Sequence, residues 1–154
     1  MHKKLHWILI ITLLAGTIIA WYHVIKQFAV FYGFEGTIFK VQDCLMPNPV
    51  TTPCFYGSFG FLIALIIAIK FFKKKPTSKS AGWFSLYLLA GSIFAWFNAG
   101  QDLIEYYSLP VGGTFVGCSG VTITNPFSTA CFMGACLFLI AFIISLVLYK
   151  QSKK

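Results

Sequence analysis

Four apolar stretches, residues 7–29, 55–72, 83–103 and 132–149, dominate this chain and limit what it can fold into. A backbone that leaves water must pair every amide within its own segment, and about 20 apolar residues in a helix cover the roughly 30 Å of a bilayer's hydrocarbon core. Each stretch suits that role. A soluble domain is excluded on composition as well: of 154 residues, 58% are hydrophobic and only 10% charged, against about 25% charged in soluble domains. The expectation is an all-α fold, an integral membrane four-helix bundle whose first partner is the lipid bilayer.

The formal charge of +8 would suit a nucleic-acid binder, but the positions of the charges decide otherwise. Every basic residue is a lysine, and ten of the twelve fall in three clusters: Lys3 and Lys4; Lys70, Lys73, Lys74, Lys75 and Lys79; Lys150, Lys153 and Lys154. These clusters flank the apolar stretches on one side, which the positive-inside rule assigns to the cytoplasm. All four acidic residues, Glu35, Asp43, Asp102 and Glu105, fall towards the other side. The pattern predicts a multi-pass protein of a bacterial-type cytoplasmic (inner) membrane with both termini in the cytoplasm and no nucleic-acid partner. A lysine pair ahead of an apolar run also opens secretory signals, but this run exceeds a signal core and Ile18 is poor at a small-residue cleavage site.

The chain matches itself. Residues 13–23 (LLAGTIIAWYH) align with 88–98 (LLAGSIFAWFN) at a shift of 75, and residues 48–57 (NPVTTPCFYG) with 125–134 (NPFSTACFMG) at a shift of 77. Two blocks at nearly one offset point to two tandem two-helix repeats, residues 1–78 and 79–154. Each repeat crosses twice, so the copies run parallel about a pseudo-twofold axis along the membrane normal, and equivalent residues are expected to meet near it. Gly16 with Ala20, and Gly91 with Ala95, carry the small-xxx-small spacing that lets helices approach closely in lipid. That spacing predicts a packing seam between the first and third spans.

Polar residues gather near the acidic end of those same spans. His23 and Gln27 correspond to Asn98 and Asp102 under the shift of 75, each pair is four apart and so on one helix face, and Glu105 extends the face of the third span. An ionisable side chain in lipid is costly and is a functional candidate for that reason. Two uses stand open: a hydrogen-bonded layer that fixes helix register, or a site that relays protons or donates to a ligand carbonyl. One His and one Asp are too few ligands to specify a metal site, and no metal is expected. No phosphate-binding loop or nucleophile triad is present, so ATP hydrolysis is not expected.

Five cysteines complete the inventory. Cys44 and Cys54 fall in the first outer loop, Cys118 and Cys131 in the second, and Cys136 sits inside the fourth span, where its counterpart is Phe59. In an oxidising compartment the pairs Cys44–Cys54 and Cys118–Cys131 read first as structural disulfides, and closing loops of about ten residues contributes roughly 2–3 kcal/mol. A redox reading stands beside this one. Thr52 and Thr129 suit helix N-caps and Pro53 suits the first helical position, so Cys54 and Cys131 fall in first turns, where a helix N-terminus stabilises a thiolate. Cys54 and Cys131 are then the exchanging sulfurs, and Cys44 and Cys118 their resolving partners.

Four spans, termini inside, two cysteines per outer loop and Pro53-Cys54-Phe55-Tyr56 at the mouth of the second span give a chain that resembles the disulfide bond formation protein B family, and more distantly the vitamin K epoxide reductase family. The resemblance implies a four-helix membrane oxidoreductase that passes electrons from cysteine pairs to a quinone, with an extracytoplasmic thiol protein as partner. The chain departs from it at Gly57, where that family completes a C-x-x-C, and in having no arginine. The rival reading is non-enzymatic: a small-solute carrier, or a subunit or scaffold of a membrane complex, in which the cysteines only staple loops.

Overall fold

The computed structural model describes residues 2–37, 48–74, 76–109, 115–116, 122–123 and 125–152. They form helices α1 (His2–Glu35), α2 (Pro53–Lys73), α3 (Ser78–Ser108) and α4 (Ala130–Ser152). All four are long and apolar enough to cross a membrane. Single 3₁₀ turns, Pro49–Thr51 and Pro126–Ser128, precede α2 and α4, and two residues, Phe115–Val116, pair antiparallel with Thr122–Ile123.

Each helix starts before its apolar stretch and ends after it. Hydropathy marks the residues that tolerate lipid, whereas the helical ladder stops only at a cap or a breaker. Helix α1 ends at Gly36, whose φ of 65° and N–H bond to the Tyr32 carbonyl at 2.9 Å form a left-handed cap. Helix α3 starts at Thr77, whose hydroxyl accepts from the Ser80 N–H at 3.3 Å. Lys70 and Lys73 occupy the last turn of α2, where the carbonyl end of the helix favours positive charge. With 34 residues α1 is about 51 Å long at 1.5 Å per residue, so it outruns the hydrocarbon core by several turns.

Helix α1 packs along α2 and α4, and α3 packs chiefly along α4. The expected seam between the first and third spans is absent among the described residues; the close diagonal belongs to α2 and α4. Phe61 of α2 and Phe138 of α4, both buried, stack with ring centroids 3.9 Å apart and planes 29° apart. Gly16 and Gly91 make room for these rings rather than for a helix backbone. A Cβ on Gly16 would collide with the Phe61 ring, and one on Gly91 would stand 2.8 Å from Phe138 Cε1. A small residue in lipid admits either a backbone or a ring, and here two large apolar side chains that need burial take the space.

The rest of the interior follows the same logic. Leu13, Ala64, Leu88 and Ala141 are fully buried in one cluster with the stacked rings, while Ile18, Ile25, Ile93 and Ile104 point outwards. Hydroxyls inside the bundle find partners, as buried polar groups do: Ser145 donates to Ser85 at 3.1 Å, and Tyr87 donates to the Gly60 carbonyl at 3.0 Å. The lysines of α2 and α4 end one face of the bundle, and the first turns of the same helices, with Cys54 and Cys131, form the other.

Candidate functional site at the cysteine end

The geometry of this end begins with the Asn-Pro turn that occurs twice. Asn48 Oδ1 accepts from the Val50 N–H and Asn125 Oδ1 from the Phe127 N–H, each at 3.0 Å, and a 3₁₀ turn follows in both places. The Asn side chain mimics a backbone turn, and proline at the next position has its φ already set. The two turns deliver α2 and α4 in the same local manner, and Pro53 takes a first-turn position.

The threonines that follow do not act alike. Thr129 caps α4, its Oγ1 accepting from the Phe132 N–H at 3.1 Å. Thr52 stands at the cap position of α2 but makes no side-chain cap bond. Its hydroxyl is turned towards the Pro49 carbonyl at 2.7 Å and Gln27 Oε1 at 3.3 Å. Thr129 likewise donates to the Pro126 carbonyl at 2.9 Å, so the two differ in the cap bond and in the contact of Thr52 with Gln27 of α1.

These first turns bring Cys54 Sγ and Cys131 Sγ within 3.5 Å of each other, and both residues are buried. The separation is a sulfur–sulfur contact, about 1.5 Å longer than a disulfide bond. Cys131 itself is disulfide-bonded. Cys44 and Cys118 lie outside the described residues, and with them the pairings Cys44–Cys54 and Cys118–Cys131. Cys136 is half-buried on α4.

Three of the expected polar residues gather here, although not through contact of α1 with α3. Gln27, Asn98 and Asp102 are 6%, 8% and 4% exposed. Gln27 reaches the start of α2, its Oε1 3.3 Å from the hydroxyl of Thr52, two residues before Cys54. Gln27 Nε2 has no hydrogen-bond partner among the described residues. Asn98 Nδ2 donates to the Phe94 carbonyl at 2.7 Å. His23 stays half-buried with its ring edge-on to Tyr22, centroids 5.6 Å apart, and Glu105 is exposed. The layer is therefore narrower than the five residues expected, because only the face of each helix turned towards α2 and α4 is covered.

Beneath the sulfurs and above the stacked rings lies a small apolar cleft with a free volume of about 50 Å³. Cys54 and Cys131, Gly57 and Gly134, and Ala20 and Ala95 stand on those walls, with Asn98 as the polar group among them. The floor, Phe61 and Phe138, escaped the sequence reading. Continuing the second matched block by four residues pairs Phe61 with Phe138 at the same shift of 77, and that was the available signal. Among the described residues no three metal-ligating groups converge.

Fold and composition together give four helices long and apolar enough to cross a membrane, which suggests a multi-pass membrane protein. No family model, curated protein or solved structure matches the chain. The functional argument therefore rests on the geometry of the cysteine end.

Proposed function

We infer that this protein carries out thiol–disulfide exchange at the extracytoplasmic face of a bacterial-type cytoplasmic membrane, between Cys54 and Cys131, one from each of two tandem parallel repeats. The observation that carries this reading is the 3.5 Å approach of the two sulfurs. Reacting atoms poised for attack sit about 3–3.5 Å apart, and a disulfide is exchanged by a thiolate reaching one of its sulfurs. Cys54 is the attacking sulfur, Cys131 brings the disulfide, and Cys44 and Cys118 serve as resolving partners. Matching turns at Asn48 and Asn125, and matching cleft residues from both halves, support the duplication.

In this reading the lysine end faces the cytoplasm with both termini, and an extracytoplasmic thiol protein exchanges with the loop cysteines. The lining of the cleft suits a quinone: its walls are apolar, and Asn98 supplies an amide beside the sulfurs. A quinone held there would supply an acceptor for the two electrons and two protons of a dithiol, whereas exchange itself, in which Cys54 enters the Cys131 disulfide, changes no oxidation state. The chain's own residues hold the sulfurs together, keep water out and present the amide.

Alkylation with mass measurement at graded redox potentials tests the reading. At least one disulfide is expected to open at a potential well above about −300 mV, the region below which structural disulfides lie. If all of them resist down to that potential, exchange is refuted, and the carrier or complex-subunit reading with purely structural disulfides takes its place.

A further inference from the structure

The two halves of the chain meet along two seams, α1 with α4 and α2 with α3, and a twofold relation would make these alike. They differ: α1 and α4 approach over much more of their length than α2 and α3 do. The sequence supplies a cause. At the shift of 77 Gly60 of α2 corresponds to Leu137 of α4, and at the shift of 75 Tyr87 of α3 corresponds to Thr12 of α1. The α2–α3 seam thus has a glycine where its counterpart has a leucine, and a hydroxyl bridges it, Tyr87 Oη donating to the Gly60 carbonyl at 3.0 Å. Thr12 turns its own hydroxyl to the Ile8 carbonyl within α1, at 2.9 Å.

Towards the sulfurs from that bond, the α2–α3 seam borders the cleft. Gly57 is one turn closer to Cys54 than Gly60 and on the same face of α2. It lines the cleft, and a Cβ there would meet nothing within 4 Å among the described residues, whereas its counterpart Gly134 has Phe61 at 3.7 Å. Across the seam Phe94 is two turns beyond Tyr87 on the same face of α3. Phe94 lines the cleft and is also 45% exposed, so it stands between the cleft and the exterior of the bundle. Its counterpart Ile19 lines the cleft too but is half-buried. A free volume of about 50 Å³ is well below the roughly 300–1,000 Å³ of small-molecule sites, so a ring enters only if helices part, and of the two seams this one is the less held.

We propose that the α2–α3 seam is a lateral mouth through which the flat ring of a lipid-dissolved quinone reaches the sulfurs: the helices part above the Tyr87–Gly60 bond, Phe94 turns aside, and the ring slides in over Gly57. The proposal rests on the quinone-linked reading above and adds to it the route and the side chains that govern it. A molecule arriving from lipid is the occupant that fits. The mouth lies below the sulfurs, between segments apolar enough to cross a membrane, and Pro53, Gly57 and Phe94 give it an apolar rim.

The test uses the full chain with Cys44→Ser and Cys118→Ser, reduced in lipid nanodiscs and then given a decyl-substituted benzoquinone. The thiols of Cys54 and Cys131 become a disulfide, and the quinone takes their two electrons and two protons to become a quinol, followed by absorbance. Diamide, a water-soluble azo compound that oxidises dithiols, is the parallel oxidant. Gly57→Leu fills the mouth and is expected to lower the ratio of the quinone rate to the diamide rate at least about tenfold, the scale on which an apolar pocket rejects a misplaced group. Tyr87→Phe removes the bridging bond and should raise the quinone rate about threefold, the worth of one hydrogen bond between membrane helices. Ile18→Trp adds bulk on the exposed side of α1 and should leave the ratio as it is.

A ratio in Gly57→Leu equal to the parent's overturns the proposal, and so does an equal fall in Ile18→Trp. Should Gly57→Leu not fold, Tyr87→Phe decides: a quinone rate no higher than the parent's overturns the proposal. If diamide oxidises the parent and the quinone never does, the quinone reading has failed and the mouth falls with it. If neither oxidant forms the Cys54–Cys131 bond, exchange itself has failed, so the three failures are told apart.

Discussion

Replacing Gly91 or Gly16 with alanine tests the packing that brings the sulfurs together. A Cβ on Gly91 would stand 2.8 Å from Phe138 Cε1 and 3.0 Å from Cδ1, whereas carbon atoms rest about 3.5–4.0 Å apart, so the ring must retreat by roughly 0.7 Å or more. Phe138 cannot retreat alone, because it is stacked on Phe61 at 3.9 Å, and Phe61 in turn fills the space beside Gly16. Overpacking of this kind costs about 1–3 kcal/mol, and the gain in helix propensity from glycine to alanine offsets about 0.8–1.0 kcal/mol of it. The expected net loss is about 1 kcal/mol for Gly91→Ala and about 2 kcal/mol for Gly16→Ala, where the clash is closer. Gly57→Ala is the control: its Cβ would meet nothing within 4 Å, so only the propensity gain of up to about 1 kcal/mol remains. Equilibrium unfolding in mixed detergent–lipid micelles measures all three. Were Gly16→Ala and Gly91→Ala to unfold together with Gly57→Ala, the rings would not lie against these glycines, and the argument would be wrong.

Two further outcomes are expected. Cysteine substitutions at Lys73 and Lys79 should react with an impermeant maleimide from the side opposite to the one that labels a cysteine at Glu35, and labelling from one common side would refute the proposed orientation. A double-mutant cycle on Ser85 and Ser145, whose hydroxyls meet at 3.1 Å, should give a coupling of about 0.6 kcal/mol, typical of polar contacts between membrane helices; a coupling indistinguishable from zero would show that this hydrogen bond does not hold α3 to α4.

The four long apolar helices were legible because each apolar stretch is long enough to need its backbone paired within itself, and the lysines at their ends set the expected polarity. The first turns of α2 and α4 were also legible, since an Asn-Pro turn and a proline at the helix start act locally. Helix partners were not. Gly16 and Gly91 carry a spacing that serves a helix–helix seam and a ring socket equally well, and only three-dimensional packing shows that Phe61 and Phe138 take the space. The same ambiguity affected the polar layer: helical spacing puts His23 and Gln27 on one broad face, but only the edge of α1 turned towards its neighbours is covered, leaving Gln27 buried and His23 half-buried. Thr52 shows the limit of local rules in another way. Its sequence context suits a cap as that of Thr129 does, yet only Thr129 accepts a hydrogen bond from its helix's first turn.

The central claim is that the two repeat-equivalent sulfurs touch and react, and mild oxidation of the Cys44→Ser, Cys118→Ser protein in native membranes measures it most directly. The account predicts rapid, near-complete formation of a Cys54–Cys131 bond, identified by peptide mass, because the sulfurs need to close by only about 1.5 Å from their contact distance. Failure of that bond to form, with both thiols still open to alkylation after denaturation, would contradict it.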